Sequence, residues 1–171
     1  MIPRVWQFSL TFTELSCVAF HPDGHLLAVG GKNGQIQIFD VNTSQVGGIF
    51  ELENPVTALC FSENGTWLAS ATQGATTVSI WDLRKAGTDQ GLVHTLDTGH
   101  DISSLDWDYT AQYLLVGGSA GITVKQYTKS TKLWTQPLAA PISAAGVGWG
   151  DSAQSIISIG TDGTTVVLSS E

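Results

Sequence analysis

Few side chains in this 171-residue sequence stand where chemistry would need them. Asp106 and Asp108 flank Trp107, and the two-residue period of a strand puts both carboxylates on one side of it. A general acid and base would want a cleft and unequal surroundings for the two groups. Asp108 is read instead as the start of a turn, and Asp106 as an acceptor in a structural hydrogen bond. The histidines His21, His25, His94 and His100 form no HExxH and no other ligand spacing. His21 and His25 flank a turn and are expected in solvent. His100 is expected to hold a loop, with partner contact as the competing reading. Cys17 and Cys60 have neither a CxxC nor a metal-ligand spacing and are read as small packing residues. The run Gly146-Val147-Gly148-Trp149-Gly150 would cradle a phosphate only between a strand and a helix, and no helix of any length is expected. No catalytic residue, metal site or cofactor is assigned.

Composition narrows the classes further. With 42% hydrophobic and 13% charged residues, the chain is one that folds. Seven basic residues against fifteen acidic ones give a net charge of −8, so direct nucleic-acid binding, which needs a basic footprint, is not expected. Basic residues gather only at Arg84-Lys85 and at Lys125, Lys129 and Lys132, all expected at solvated ends. No segment approaches 18 uninterrupted apolar residues, and MIPRVWQFSL lacks the pattern of a signal peptide, so an intracellular chain with no membrane span is expected.

The elements that must position these residues repeat. The aromatics Phe20, Phe61, Trp107 and Trp149 close four apolar runs and lie 41, 46 and 42 residues apart. Two positions before each stand Val18, Leu59, Leu105 and Val147, on the same strand face. The alternate positions are mostly small: Cys17, Ala19, Ala58, Cys60, Gly146 and Gly148, with Asp106 the exception. Such strands suit sheets packed closely on both sides. Turn formers follow each aromatic, and four positions on come Gly24, Gly65, Ala111 and Ala153. A second strand follows, then a loop. A third strand ends at Phe39-Asp40, Trp81-Asp82, Tyr127-Thr128 and Leu168-Ser169. Weaker fourth strands are read at Gln45 to Phe50, Leu92 to Leu96 and Thr131 to Gln136, with none in the last unit. Trp67, Trp81, Trp107 and Trp149 are expected in the core, and Trp6 and Trp134 partly exposed.

Strand, turn, strand, loop, strand and Trp-Asp at a period of 40 to 45 residues or so is the signature of a WD-repeat blade. The expected fold is all-β, a WD-repeat β-propeller with four blade-like repeats over residues 1–171. The repeats run about 12–50, 54–96, 101–137 and 141–171. Residues 4–10, RVWQFSL, read as an extra outer strand: either it completes the last blade and closes a four-bladed ring, or it belongs to a preceding blade. The structural blade residues are Phe20, Phe39, Asp40, Phe61, Trp81, Asp82, Trp107, Tyr127 and Trp149. The hydrogen-bond set usual in such blades is degraded, since Gly99-His100 falls in a unit ending in Tyr127-Thr128, while the unit with Trp81-Asp82 has Asn54 near the histidine position.

The stretches LSCVAFHPDGHLLAVGGKNGQIQIFD (15–40), FSENGTWLASA with VSIWDLRK (61–85) and VGWGDSAQSIISIGTDGTTVVLS (147–169) resemble the pre-mRNA-processing factor 19 family of U-box ubiquitin ligases. The resemblance implies the C-terminal part of a seven-bladed propeller, in a nuclear parent protein of splicing complexes with a part in DNA repair. Its U-box and tetramerising coiled coil have no counterpart in residues 1–171, so ligase activity is not expected of this chain alone. The function implied is a scaffold that recruits proteins, namely splicing-complex subunits and ubiquitination substrates. Blade geometry places the expected partner-binding residues in the loops between units and between second and third strands: Lys32, Asn33, Glu53, Asn54, His100 and Asp101. A stand-alone truncated WD-repeat scaffold of another complex is the alternative.

Overall fold

The computed structural model describes residues 14–86, 88 and 90–169. They form four antiparallel sheets, each a simple meander. The first holds β1 (Leu15–Phe20), β2 (Leu26–Gly31), β3 (Gln35–Asp40) and β4 (Gln45–Glu51). The second holds β5 (Val56–Phe61), β6 (Trp67–Thr72), β7 (Thr77–Asp82) and β8 (Leu92–Asp97). The third holds β9 (Ser104–Trp107), β10 (Tyr113–Gly117), β11 (Ile122–Thr128) and β12 (Leu133–Ala140). The fourth has three strands, β13 (Gly146–Trp149), β14 (Ser155–Ile159) and β15 (Thr165–Ser169). The two helical turns present, Leu83–Lys85 and Asp151–Ala153, are single 3-10 turns inside loops, where no helix was expected. The outer strand of the third sheet runs to Ala140, beyond the expected Gln136. Each of β4, β8 and β12 slips register against its neighbour near the same place, between Ile38/Phe39, Ile80/Trp81 and Val124/Gln126. A bulge there twists the outer strand and explains its weaker pattern. The expected strand at 4–10 lies outside the described residues.

The sheets stack face to face as an arc, and three apolar clusters fill the seams between them. The large column of one blade is its front, and the small column of the blade before it is the back it sits on. At the first seam Phe61, Leu68 and Trp81 pack on Ala28, Ile36 and Ile38. At the second, Leu105, Trp107 and Leu114 pack on Ala58, Ala69 and Ile80. At the third, Ile156 with Trp149 packs on Leu115, Ile122 and Val124. Close approach demands the small residues: a Cβ on Gly30 would stand 2.8 Å from Val56 Cγ1, and one on Gly117 2.5 Å from Val147 Cγ1. Cys17 and Cys60 are free, partly buried thiols at these seams. Burial pushes the Cys60 thiol up to about 12 and raises that of Cys17, so neither is a ready nucleophile.

The seams also sort the aromatic residues. Trp81 and Trp107 are buried, while Trp67 and Trp149 are half-buried. Trp67, His94, Trp107, Tyr127 and Trp134 form one group across the second seam, with Trp67 and Tyr127 edge to face at 4.8 Å. Phe20 keeps its place at the end of β1 but is 65% exposed, because its sheet is first in the arc and no other sheet among the described residues packs on its front.

The turn between first and second strands repeats in backbone conformation as well as in spacing. Gly24, Gly65, Ala111 and Ala153 all have positive φ, at 74°, 66°, 55° and 55°. Gly65 is doubly constrained, since a Cβ there would meet His21 Nε2 at 2.5 Å. An alanine in this region costs roughly 1–2 kcal/mol. Asp108 answers that cost in the third blade: buried, its carboxylate accepts from the backbone N–H groups of Thr110, Gln112 and Tyr113 at 2.7–3.0 Å. The fourth blade has Gly150 at that position and no such cap. Ala153→Gly is therefore expected to stabilise the chain by about 1 kcal/mol, raising the melting temperature by roughly 2–4 °C in a thermal melt.

Candidate functional site

In a meander the second-to-third-strand hairpins and the linkers between sheets fall at one end of the strands. That shared rim carries all six residues expected to bind partners. Lys32 and Asn33 sit in the β2–β3 hairpin, Glu53 and Asn54 in the β4–β5 linker, and His100 and Asp101 in the β8–β9 linker. The rim is tied together. Leu52 N donates to the Gly34 carbonyl and Gln73 N to that of Pro55, so the first linker is held by the hairpins of two blades. Gly34 has φ 82°, and a Cβ on it would stand 2.3 Å from the Leu52 carbonyl oxygen.

The side chains divide between internal bonds and solvent. Lys32 Nζ pairs with the Glu14 carboxylate, both well exposed. Asn33 accepts from Gln35 N at 3.3 Å. Glu53 and Asn54 are exposed. His100 is half-buried: its Nδ1–H donates to the Asp101 carbonyl at 2.7 Å, which leaves Nε2 to accept from the Thr123 hydroxyl at 2.9 Å. The Asp101 carboxylate accepts from the Ser119 hydroxyl at 2.7 Å and from Ser119 N at 3.1 Å. That hydroxyl bond, with the backbone N–H behind it, holds the Asp101 carboxyl below its ordinary value. The blade hydrogen-bond set is split between two units: His100 meets Thr123 in one, and Trp81 Nε1 donates to Ser70 at 2.8 Å in the other.

Two polar residues go elsewhere than spacing suggested. His21 is not in solvent. Its side chain is 11% exposed, lies edge to face on Phe61 and donates from Nε2 to the Gly65 carbonyl at 3.1 Å, tying the turn of one blade to the next. Lys125 is no solvated strand end either. It is 9% exposed, donates to the Asp97 carbonyl of the preceding blade and to Gln136 Oε1 at 2.6 Å, and burial lowers its pKa. Position two residues before a turn or mid-strand carries no signal for such cross-blade bonds. Arg84 does reach solvent, and its guanidinium, forked onto Asp82 at 2.9 and 2.7 Å, holds that carboxyl low.

Asp106 and Asp108 make no acid–base pair, because the Asp108 carboxylate is taken up by its own turn. Asp106 reaches across the third seam instead. Its Oδ2 accepts from Trp149 N at 2.8 Å, and its carbonyl accepts from Trp149 Nε1 at 3.1 Å. Burial raises its pKa, with the nearby Glu63 charge adding to the shift. It opens onto a pocket of about 470 Å³ at the opposite end of the strands from the rim, lined also by Glu63, Tyr109, Trp149 and Asp151. Among the described residues no His, Cys, Asp and Glu cluster could hold a metal ion, and no helix is long and apolar enough to cross a membrane.

Four stacked four- and three-stranded meanders with this seam and this rim are blades of a WD-repeat β-propeller. The WD domain G-beta repeat model matches residues 48–82 and 90–128, and the model for the WD40 domain of anaphase-promoting complex subunit 4 matches residues 2–54. A chain in the crystal structure of the mitotic checkpoint complex shares the fold, with TM-score 0.78 over 92% of this chain and 49% of that one, at 18% identity. Within this class the sequence is similar to pre-mRNA-processing factor 19. It is 31% identical to that protein of Schizosaccharomyces pombe over 129 residues, 74% of this chain and 26% of the relative. It is 40% identical to that of Dictyostelium discoideum over 111 residues, 63% of this chain and 21% of the relative. For Oryza sativa subsp. japonica the identity is 39% over 102 residues, 59% of this chain and 19% of the relative. The chain thus spans about a quarter or less of the length of these relatives.

The raised pKa of Asp106 sets a pH dependence. An acid whose folded pKa lies above its unfolded value favours folding below the unfolded value, near ~3.9, and loses that contribution as pH rises through the folded pKa. Asp106→Asn keeps an acceptor for Trp149 N without the charge. It is expected to be at least as stable as the parent chain at pH 7, with the gap closing as pH falls toward ~4. Asp106→Ala loses the acceptor and is expected to be less stable by about 1–2 kcal/mol at pH 7. Denaturant titrations of the three proteins at both pH values check this.

Proposed function

We propose that the chain is the protein-recruiting WD-repeat part of a pre-mRNA-splicing factor, with the rim as its docking face. Similarity to factor 19 across most of the chain carries this reading. The rim loops support it: exposed charged and amide groups stand on a backbone already fixed by hydrogen bonds, so docking them orders little chain. Lys32, Asn33, Glu53, Asn54, His100 and Asp101 are the proposed contact residues. The parent protein is proposed to be nuclear, to carry ubiquitin-ligase activity in a domain other than this one and to oligomerise through a coiled coil. Its partners there are splicing-complex subunits and ubiquitination substrates, and its contact with RNA is indirect. Residues 1–171 are proposed as one WD-repeat region with repeats at about 12–50, 54–96, 101–137 and 141–171. A second reading, a scaffold of another complex with no splicing role, draws on the match of residues 2–54 to the WD40 domain of anaphase-promoting complex subunit 4.

Immunoprecipitation of the tagged chain from nuclear extract, with quantitation of spliceosomal small nuclear RNAs, tests the proposal. Enrichment over a tag-only control is expected. A Glu53→Lys, Asp101→Lys double variant is expected to lose about tenfold of it, a drop near 1.4 kcal/mol for the two substitutions together. Enrichment that survives the double variant moves docking off this rim. A wild-type chain that enriches none of these RNAs refutes the splicing role and leaves the second reading.

A further inference from the structure

Of the four asparagines in the sequence, Asn33 and Asn64 precede a glycine. Such a pair carries a reaction of its own: the glycine backbone nitrogen can attack the asparagine side-chain carbonyl carbon, and the missing Cβ leaves that approach open. The other two are shut off from it. Asn54 is followed by Pro55, whose nitrogen has no proton to lose, and Asn42 by the branched Thr43. Asn33 and Asn64 look alike locally. Both side chains are exposed, both glycines have positive φ, at 82° and 66°, and each amide oxygen accepts from the backbone N–H two residues on.

The two turns differ in how firmly they hold the reacting atoms. At Asn64, Oδ1 accepts from Thr66 N at 3.0 Å and lies 2.9 Å from the hydroxyl of the fully buried Ser62. Gly65 N, the attacking atom there, donates to the Ser62 carbonyl at 2.8 Å, and His21 of the blade before holds the Gly65 carbonyl at 3.1 Å. At Asn33 the amide makes two bonds, both to Gln35 and both 3.3 Å long, beyond the about 2.7–3.2 Å of a well-made N–H···O bond. Gly34 N reaches the Gly31 carbonyl only at 3.2 Å. The firm contact of Gly34 is at its carbonyl, which accepts from Leu52 N at 2.8 Å and leaves the attacking nitrogen loosely held.

We propose that Asn33 is a site of spontaneous deamidation in the folded chain, and that its turn protects Asn64 from the same reaction. Gly34 N gives its proton to water and bonds to Asn33 Cγ. The side-chain nitrogen takes up a proton and leaves as ammonia, and a cyclic succinimide remains. Water then opens the ring. Addition at the side-chain carbonyl gives aspartate, and addition at the main-chain carbonyl gives isoaspartate. Nothing is oxidised or reduced, and the net exchange is one water taken up for one ammonia lost. Either product sets a new carboxylate on the rim beside Lys32. Isoaspartate also lengthens the main chain by one carbon just before Gly34, which has no space to shift: a Cβ on it would stand 2.3 Å from the Leu52 carbonyl oxygen. The bond from Leu52 N to Gly34 then gives way, and the linker carrying Glu53 and Asn54 is released on that side. That these two residues face a partner rests on the docking reading above. The chemistry and the release are read on the chain alone, so they stand or fall apart from that reading.

Peptide mapping by mass spectrometry tests this, on the 171-residue chain held in mildly alkaline buffer either folded or in urea. In urea the Asn33 and Asn64 peptides are expected to convert at similar rates. In the folded chain Asn33 is expected to convert about tenfold faster than Asn64, the ratio that about one well-made hydrogen bond is worth. Part of the Asn33 product should accept a methyl group from an isoaspartyl methyltransferase, and Asn33→Gln should abolish that labelling. Hydrogen exchange reads the linker. The Leu52 amide is expected to lose protection in the isoaspartate form and to keep it in freshly prepared Asn33→Asp, which has the charge without the longer main chain. Equal rates at the two sites in the folded chain, or faster conversion at Asn64, overturn the assignment. So does an Asn33 that stays intact while the urea sample converts. A Leu52 amide equally protected in the isoaspartate form overturns the release of the linker.

Discussion

The fold depends on one constraint: a blade cannot bury its own faces. Strand alternation gives every sheet two apolar sides, a large front and a small back, and only a neighbouring blade can cover either. Phe61 illustrates the scale. It is 4% exposed, and burying a phenylalanine contributes about 1.5–3 kcal/mol, yet every apolar group it touches across the seam comes from the blade before. The small back column follows from the large front one. Gly30 and Gly117 have no room for a Cβ, so the rise in side-chain volume on one sheet is matched by its loss on the next.

Polar groups add direction to an otherwise non-directional seam. His21 to Gly65, Lys125 to Asp97 and Asp106 to Trp149 each cross from one blade to its neighbour. Every one uses a side chain on one partner and a backbone group on the other, so each survives sequence drift in the blade that supplies the backbone group. This arrangement stands in for the usual His, Ser/Thr, Asp and Trp set inside each blade, which this chain keeps only in halves, at Ser70 with Trp81 and at His100 with Thr123. Buried polar groups need partners more than they need particular ones.

How much of this was legible depends on whether a residue's fate is settled within its own repeat. Spacing of Phe20, Phe61, Trp107 and Trp149 placed the ends of the first strands, and the third strands likewise end at Asp40, Asp82, Thr128 and Ser169 as expected. The turn position shared by Gly24, Gly65, Ala111 and Ala153 was legible for the same reason, since backbone conformation there is local. Asp106, the odd carboxylate in a small column, was legible as a structural acceptor but not as a bond between blades. His21 and Lys125 were misplaced because both sit at positions that face solvent in a lone blade and are covered only when a neighbouring blade docks, the next one for His21 and the preceding one for Lys125. The exposure of Phe20 had the converse cause: its repeat is complete, but its neighbour is not among the described residues. The six rim residues were placed by blade geometry, and the structure does bring them to one end. What periodicity could not foresee is that His100 and Asp101 spend their hydrogen-bonding groups on the Asp101 carbonyl, Thr123 and Ser119.

The same packing logic bears on where recognition can lie. Blade faces are consumed by seams, and strand edges inside a sheet by their neighbours, so the side chains left over are those of turns, linkers and outer strands. Of these, the rim is well fixed: its linkers are clamped between hairpins of successive blades, and Asp101 is locked to Ser119. A partner meeting this surface pays little to order it, and specificity then rests on which charges the loops present. At the opposite end the Asp106 pocket is acidic, with Glu63 and Asp151 beside it, but its central carboxylate is already a structural acceptor whose loss would loosen a seam. A residue that binds a partner there would have to serve stability as well. Glu53 and Asn54, exposed on a clamped linker, carry no such double duty, which is why recognition can change at the rim without disturbing the seams beneath it.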